Sequence, residues 1–219
     1  ISAEVGKEVG IMADLQGPKI RVGKFVDSKI LLKEGAQFIL DVACELGNQE
    51  RVGLDYKDLP TDVKPGDRLL LNDGLVVLRV ESVKGGEIFT LVEQGGPLSN
   101  NKGINRAGGG LTAPALTEKD ISDLDAAIAM GVDFLAISFP KDGADMAYAR
   151  KLADAASARH GVGKVRTIAK VERAEAILPD ALDSIIAESD GIMVARGDLA
   201  IEVGNAAVPA LQKRMIKLA

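Results

Sequence analysis

Two charged residues leave one apolar run with the same side-chain direction. The run Arg166-Thr167-Ile168-Ala169-Lys170-Val171-Glu172 reads as a short buried strand. Side chains on a strand alternate with period two, so Lys170 and Glu172 face the same way. A basic and an acidic group emerging together form either a structural ion pair or the start of an active site whose chemistry would be electrostatic. A second apolar run, Gly191-Ile192-Met193-Val194, passes straight into Ala195-Arg196-Gly197-Asp198-Leu199 and favours the site. Strand–helix–strand spacing separates the two runs. Both strand ends are therefore expected on one edge of a parallel sheet, where chemistry sits in such folds.

The elements that must position these residues fall into three regions. Residues 1–22 hold a short apolar strand at 9–15, followed by Gln16-Gly17-Pro18-Lys19-Ile20-Arg21. Residues 23–115 read as all-β, with short alternating runs near Ile30–Leu32, Gln37–Leu40, Arg68–Leu71, Val76–Val80 and Ile88–Val92. Turn signals such as Lys64-Pro65-Gly66-Asp67 and Gly85-Gly86 separate them, which suggests a small barrel or sandwich. The glycine-rich run from Gly103 to Gly110 reads as its exit linker. Residues 116–219 alternate helix and strand. Thr117 is a good N-cap with Asp120 as its capping-box partner. That helix ends near Met130-Gly131. It is followed by strand Val132–Ser138, helix Ala144–His160, strand Val165–Val171, helix Ala174–Glu188, strand Gly191–Val194 and a helix from about Asn205. Apolar strands alternating with helices mean a parallel sheet of βα units. The four parallel-type strands fall short of the eight of a closed (β/α)8 barrel, so the expected fold is α/β: a partial TIM-type barrel with an inserted all-β domain.

Composition narrows the function classes. The chain has 219 residues, a net charge of −5 and no long Lys/Arg block, which argues against a nucleic-acid surface or an anionic-membrane patch. No apolar run approaches the roughly 18 residues that span a bilayer. The single cysteine, Cys44, excludes an internal disulfide and suits the cytoplasm.

Several motifs in order carry a specific resemblance. Asp14-Leu15-Gln16-Gly17-Pro18-Lys19-Ile20-Arg21, Gly103-Ile104-Asn105, Leu116-Thr117-Glu118-Lys119-Asp120, Ile137-Ser138-Phe139, Lys170-Val171-Glu172 and Met193-Val194-Ala195-Arg196-Gly197-Asp198-Leu199 resemble the pyruvate kinase family over essentially the whole chain. The resemblance implies a β-barrel lid inserted after the third barrel strand. It also implies phosphoryl transfer between phosphoenolpyruvate and ADP, giving pyruvate and ATP. It assigns Glu172 and Asp198 to Mg²⁺, with Mn²⁺ as an alternative, and Lys170 to the transferring phosphoryl group and the developing enolate. Gly197 and Asp198 match the loop that holds the substrate carboxylate, and Arg21 and Lys102 match positions contacting nucleotide phosphates. Asp14 matches a monovalent-cation region. A homo-oligomer, a tetramer in the family, is implied as well.

The chemistry suits these roles. Phosphoryl transfer asks for positioning and positive charge. Two carboxylates leave Mg²⁺ room for substrate oxygens. Lys170 is a compact cation that could offset enolate charge, and Gly197 would let substrate approach the backbone. Two departures stand out. K⁺-requiring members carry an acidic residue at the position of Lys19 and a threonine at that of Leu15. The Lys19 ammonium is expected to stand in for K⁺, so no K⁺ requirement is expected. The family's early Asn-Phe-Ser-His segment, a substrate-binding arginine, a later-strand threonine and the C-terminal regulatory domain have no counterpart. The chain is therefore expected to be a piece of an enzyme.

Blander readings stand beside these. Lys170 and Glu172 could be a rim ion pair, Asp198 a helix N-cap, and Asp14 a structural partner of Lys19 or Arg21. Arg196 could be a brace. His160 precedes Gly161 at a helix end, where it favours the dipole. A competing enzyme class is a Mg²⁺-dependent pyruvate or oxaloacetate lyase on a similar barrel, and a competing non-enzyme class is a binding fragment that pairs through open strand edges.

Overall fold

The computed structural model describes the chain from residue 2 to residue 219. It divides into two compact units. The first comprises residues up to Pro18, Ala113–Leu199 and Ala207–Ala219; the second comprises Lys19–Thr112 with Ala200–Ala206.

The first unit is built on four parallel strands lying side by side in chain order: Met12–Asp14, Phe134–Ile137, Arg166–Val171 and Gly191–Val194. Met12 pairs with Phe134, Ile137 with Ala169 and Lys170 with Met193, so all four carboxyl ends point the same way. The first strand is shorter than the 9–15 expected from its apolar run; Val9 and Ile11 are exposed. The middle strands are buried, with Leu135, Ala136, Ile137, Ala169 and Val171 all inaccessible, as parallel strands covered by helices require.

Helix Glu118–Ala129 opens on a complete capping box: Thr117 accepts from the Asp120 N–H, and the Asp120 side chain accepts from the Thr117 N–H. Helix Gly143–His160 is capped by Asp142, whose Oδ1 accepts from the N–H groups of Ala144 and Asp145 at 2.9 and 3.2 Å. It buries Met146, Ala149, Ala153 and Ala156 at helical spacing. At its start, Gly143 lets the next helix approach closely. A Cβ there would lie 2.7 Å from the Ser184 carbonyl oxygen, and the Gly143 N–H donates to Ser184 Oγ at 2.9 Å.

One expected helix is broken and one further helix is present. The run 174–188 is a 3-10 turn at Glu175–Ile177 and an α-helix at Pro179–Ala187. Leu178 is extended (ψ 145°) between them, because proline at 179 disfavours a helical residue before it and suits the first helical turn. The helix expected from about Asn205 is Val208–Leu218, with Pro209 in its first turn, and a further helix, Arg196–Val203, precedes it. Among the described residues no helix is long and apolar enough to cross a membrane.

The second unit carries a six-stranded sheet in the order Ile104–Arg106, Arg68–Leu71, Val76–Lys84, Glu87–Gln94, Gln37–Asp41 and Arg51–Val52. All neighbours are antiparallel except Gln37–Asp41 with Arg51–Val52. Two two-stranded ribbons, Gly96–Ser99 with Lys29–Leu32 and Lys24–Phe25 with Leu46–Gly47, complete it. Alternation places Phe38, Leu40, Leu69, Leu71, Leu78 and Ile88 in a core with no accessible surface. Thr90 is a buried polar residue among them, and its hydroxyl donates to the Phe38 carbonyl at 2.7 Å. The glycine-rich run expected as a linker holds a strand instead: Ile104–Arg106 pairs with Arg68–Leu71. Its three residues are too few for alternation to show in the sequence.

Candidate active site

The four parallel strands end in charged and polar side chains. Asp14 is the last residue of its strand, Ser138 follows Ile137, Lys170 and Glu172 bracket Val171, and Arg196, Gly197 and Asp198 follow Val194 by two to four positions. Lys170 and Glu172 do share a direction. The Lys170 Nζ lies 3.1 Å from Glu172 Oε1. It also lies 3.1 and 3.3 Å from the two Asp14 oxygens and 2.8 Å from Ser138 Oγ. The Ser138 hydroxyl donates to the Leu15 carbonyl at 2.7 Å, so its lone pairs are left for the ammonium. Asp14 therefore has the Lys170 ammonium as a cation partner.

Burial differs sharply within this cluster. The Glu172 side chain is 1% exposed, Lys170 15% and Asp14 53%. Burial pushes the Glu172 carboxyl up. The Lys170 charge and the Phe139 N–H oppose that push, the Asp198 charge adds to it, and the net direction is upward. Burial draws the Lys170 ammonium down, but the Glu172 charge and the Asp14 hydrogen bond outweigh it and raise the value overall. Lys170 is thus a fixed cation. The second oxygen of Glu172, Oε2, accepts from the Phe139 backbone N–H at 2.8 Å.

Glu172 and Asp198 are the two carboxylates that could hold a divalent cation here. Glu172 and Asp198 feel each other as like charges, and a buried carboxylate with a raised value is what a hard cation would relieve. No group of three or more His, Cys, Asp or Glu capable of holding a metal is present among the described residues. The remaining ligands would come from substrate and water, as is usual for Mg²⁺. Asp198 is the third residue of helix Arg196–Val203 rather than its cap. At Gly197 a Cβ would meet no atom within 4 Å, so the backbone there is open to approach.

Arg21, Lys102 and Lys19 belong to the second unit. Arg21 and Lys102 stand on adjoining segments: Arg21 bridges to Gly103, and the Val22 N–H donates to the Lys102 carbonyl at 2.9 Å. The Arg21 guanidinium donates to the Asn101 carbonyl at 3.2 Å and its backbone N–H to Asp55 at 2.8 Å. It lines a cavity of about 530 Å³ together with Cys44, Asp55, Lys57 and Asn101. His160 and Arg159 both pair with Asp125, which makes His160 a tie between two helices.

Two site residues escaped the reading of the sequence. Ser138 and Phe139 stand inside a quoted motif but received no role, although they follow an apolar strand at its carboxyl end. Asp120 was read as a cap only. Its carboxylate, wholly buried, also accepts from the Gly17 N–H at 3.0 Å.

A family profile described as "Pyruvate kinase, barrel domain" matches residues 1–219. The chain belongs to the pyruvate kinase family. It is 55% identical over 220 aligned residues to "Pyruvate kinase" of Haemophilus influenzae, covering 99% of this chain and 45% of that relative. It is 52% identical to "Pyruvate kinase II" of Salmonella typhimurium, covering all of this chain and 45% of the relative. A solved structure of a pyruvate kinase from Cryptosporidium parvum superposes with a TM-score of 0.88 at 32% identity, over 99% of this chain and 44% of that one. The chain thus spans under half the length of these pyruvate kinases.

Proposed function

We propose that this chain supplies the central barrel strands and inserted lid of an enzyme that transfers phosphoryl from phosphoenolpyruvate to ADP, giving pyruvate and ATP. Residues 1–22 and 116–219 are read as barrel segments and 23–115 as the lid. The observation that carries the proposal is the Lys170 ammonium held among Asp14, Ser138 and Glu172 at the carboxyl ends of parallel strands, in a chain of this family.

In this reading Glu172 and Asp198 hold Mg²⁺, or Mn²⁺ in its place, which when bound neutralises phosphoryl charge and orients substrate oxygens. Lys170 supplies a fixed positive charge to the transferring group and to the enolate oxygen. Gly197 and Asp198 receive the substrate carboxylate, the open backbone at Gly197 supporting that role. Arg21 and Lys102 bind nucleotide phosphates. No K⁺ is required. Lys19 and Leu15 replace the residues of K⁺-dependent members, and Asp14 already holds an ammonium. In the same reading the enzyme acts in the cytoplasm as a homo-oligomer.

The test is pyruvate formation by the full-length protein from phosphoenolpyruvate and ADP with Mg²⁺ and no K⁺. Turnover that needs ADP supports the proposal and separates it from a lyase. Absence of ADP-dependent turnover sinks it, and a strict need for K⁺ sinks the reading of Lys19.

A further inference from the structure

Phe139 has a φ of +58°. Bulky side chains rarely occupy the left-handed region, and residues held there cluster at functional sites. Here the chain turns from strand Phe134–Ile137 toward helix Gly143–His160. The left-handed residue makes that turn while the Ser138–Phe139 peptide keeps its N–H on Glu172 Oε2, 2.8 Å away. With a negative φ, the fixed strand and helix could be rejoined only by swinging that peptide off the carboxylate. Two contacts hold the unfavourable conformation. The Phe139 ring is buried, and Gly17 packs against the turn so closely that a Cβ on it would lie 2.8 Å from Ser138 Cβ and 3.1 Å from Phe139 Cδ2. With Oε1 on Lys170 and Oε2 on Phe139, both oxygens of Glu172 are oriented.

We propose that Phe139 is a positioning residue: its ring anchors a left-handed backbone whose N–H sets the orientation of the Glu172 carboxylate. The inference rests on the reading of Glu172 as a ligand of the divalent ion. It assigns the ring a mechanical task, holding a peptide in place.

Phe139→Ala and Phe139→Gly remove the same ring, but only alanine disfavours the left-handed region. In alanine the anchor is gone and the strain remains, so the turn relaxes. In glycine the strain goes with the anchor, so the turn persists. The full-length protein is titrated with Mn²⁺ alone, and amide hydrogen exchange is read at position 139. Phe139→Ala is expected to weaken Mn²⁺ binding about 10–100-fold, the usual effect of losing a group that orients a metal ligand. Phe139→Gly stays close to the parent. The amide at 139 is protected in the parent and the glycine variant and unprotected in the alanine variant. Phe139→Asn, which tolerates left-handed backbone, is the second variant and tracks glycine. Equal weakening by alanine and glycine shows that only the ring's packing mattered and overturns the proposal, as does unchanged binding in both. A parent that binds no Mn²⁺ refutes the metal reading, and exchange then decides alone. Protection lost only in alanine upholds the positioning, and an unprotected parent amide overturns it.

Discussion

Lys170 has three N–H bonds, and Asp14, Ser138 and Glu172 supply an oxygen for each. Glu172 and Ser138 are buried, whereas more than half of the Asp14 side chain is exposed. Under the proposed function, an arriving phosphoryl oxygen would displace Asp14, because that carboxylate recovers its hydration at least cost. Lys170→Met should lower pyruvate formation by about 10³-fold or more, the scale at which a fixed cation acts in phosphoryl transfer. The circular dichroism spectrum should be retained. Activity within tenfold of the parent would remove Lys170 from the mechanism. Asp14→Asn tests the exchange: it should tighten the apparent KM for phosphoenolpyruvate, because the competing charge is gone. An unchanged or weaker KM would show that Asp14 is not what the substrate displaces. At this scale the Lys170–Glu172 pairing was legible because two residues on one strand obey a strict period. The Asp14 partnership was not legible, since 156 positions separate Asp14 from Lys170.

The elements that bring these groups together rely on carboxylates at their ends. Asp120 closes the capping box of helix Glu118–Ala129 and also receives the Gly17 N–H, so it ties that helix to the segment behind Ser138 and Phe139. Thr117→Ala should cost about 1 kcal/mol, an ordinary cap loss. Asp120→Ala should cost about 3 kcal/mol, because it leaves the buried Gly17 N–H and the part-buried Thr117 N–H unpaired. Denaturant melts of the two variants check the order, and equal losses would mean that the Gly17 bond adds nothing. Asp190 ties the start of strand Gly191–Val194 to its neighbour. Burial pushes its carboxyl up, but the Thr167 N–H at 2.9 Å, the Arg150 guanidinium at 3.0 Å and the more distant Lys164 outweigh burial and hold it below its ordinary value. A lowered folded value means the unfolded chain binds the proton more readily. This stability is therefore whole above the ordinary carboxylate range near pH 4 and is lost as pH falls through the lowered value. Melting temperature should drop on acidification, and Asp190→Asn should flatten part of that drop. An identical acid profile in the variant would remove Asp190 from the account.

For the whole molecule, the division into two units follows from where the apolar residues lie. The second unit's core is drawn from Ile20 through Leu111, one unbroken stretch. Residues 19–112 expressed alone should therefore unfold in a single cooperative transition in urea; a broad, gradual loss of structure would refute this. The first unit is assembled from three separate stretches and has no such contiguous core. Its edge strands, Met12–Asp14 and Gly191–Val194, each have one neighbour. Expressed without whatever adjoins these edges, this unit has unpaired backbone groups to satisfy.

Local order was therefore legible wherever one physical rule dominates a short window. Period-two alternation marked the strands, the Thr117–Asp120 spacing marked a helix start, and charge after apolar runs marked the strand ends that carry Lys170, Glu172 and Asp198. The motifs in their order placed the chain in its family. Tertiary structure alone decided which distant groups meet. It paired Asp14 with Lys170, turned the Ser138 lone pairs to the ammonium, and twisted Phe139 into the left-handed region so that its N–H reaches Glu172. None of these has a local signature. Each depends on how strands far apart in the chain settle side by side, and a buried hydrogen bond is specified by position in space, not by the identity of its neighbours in sequence.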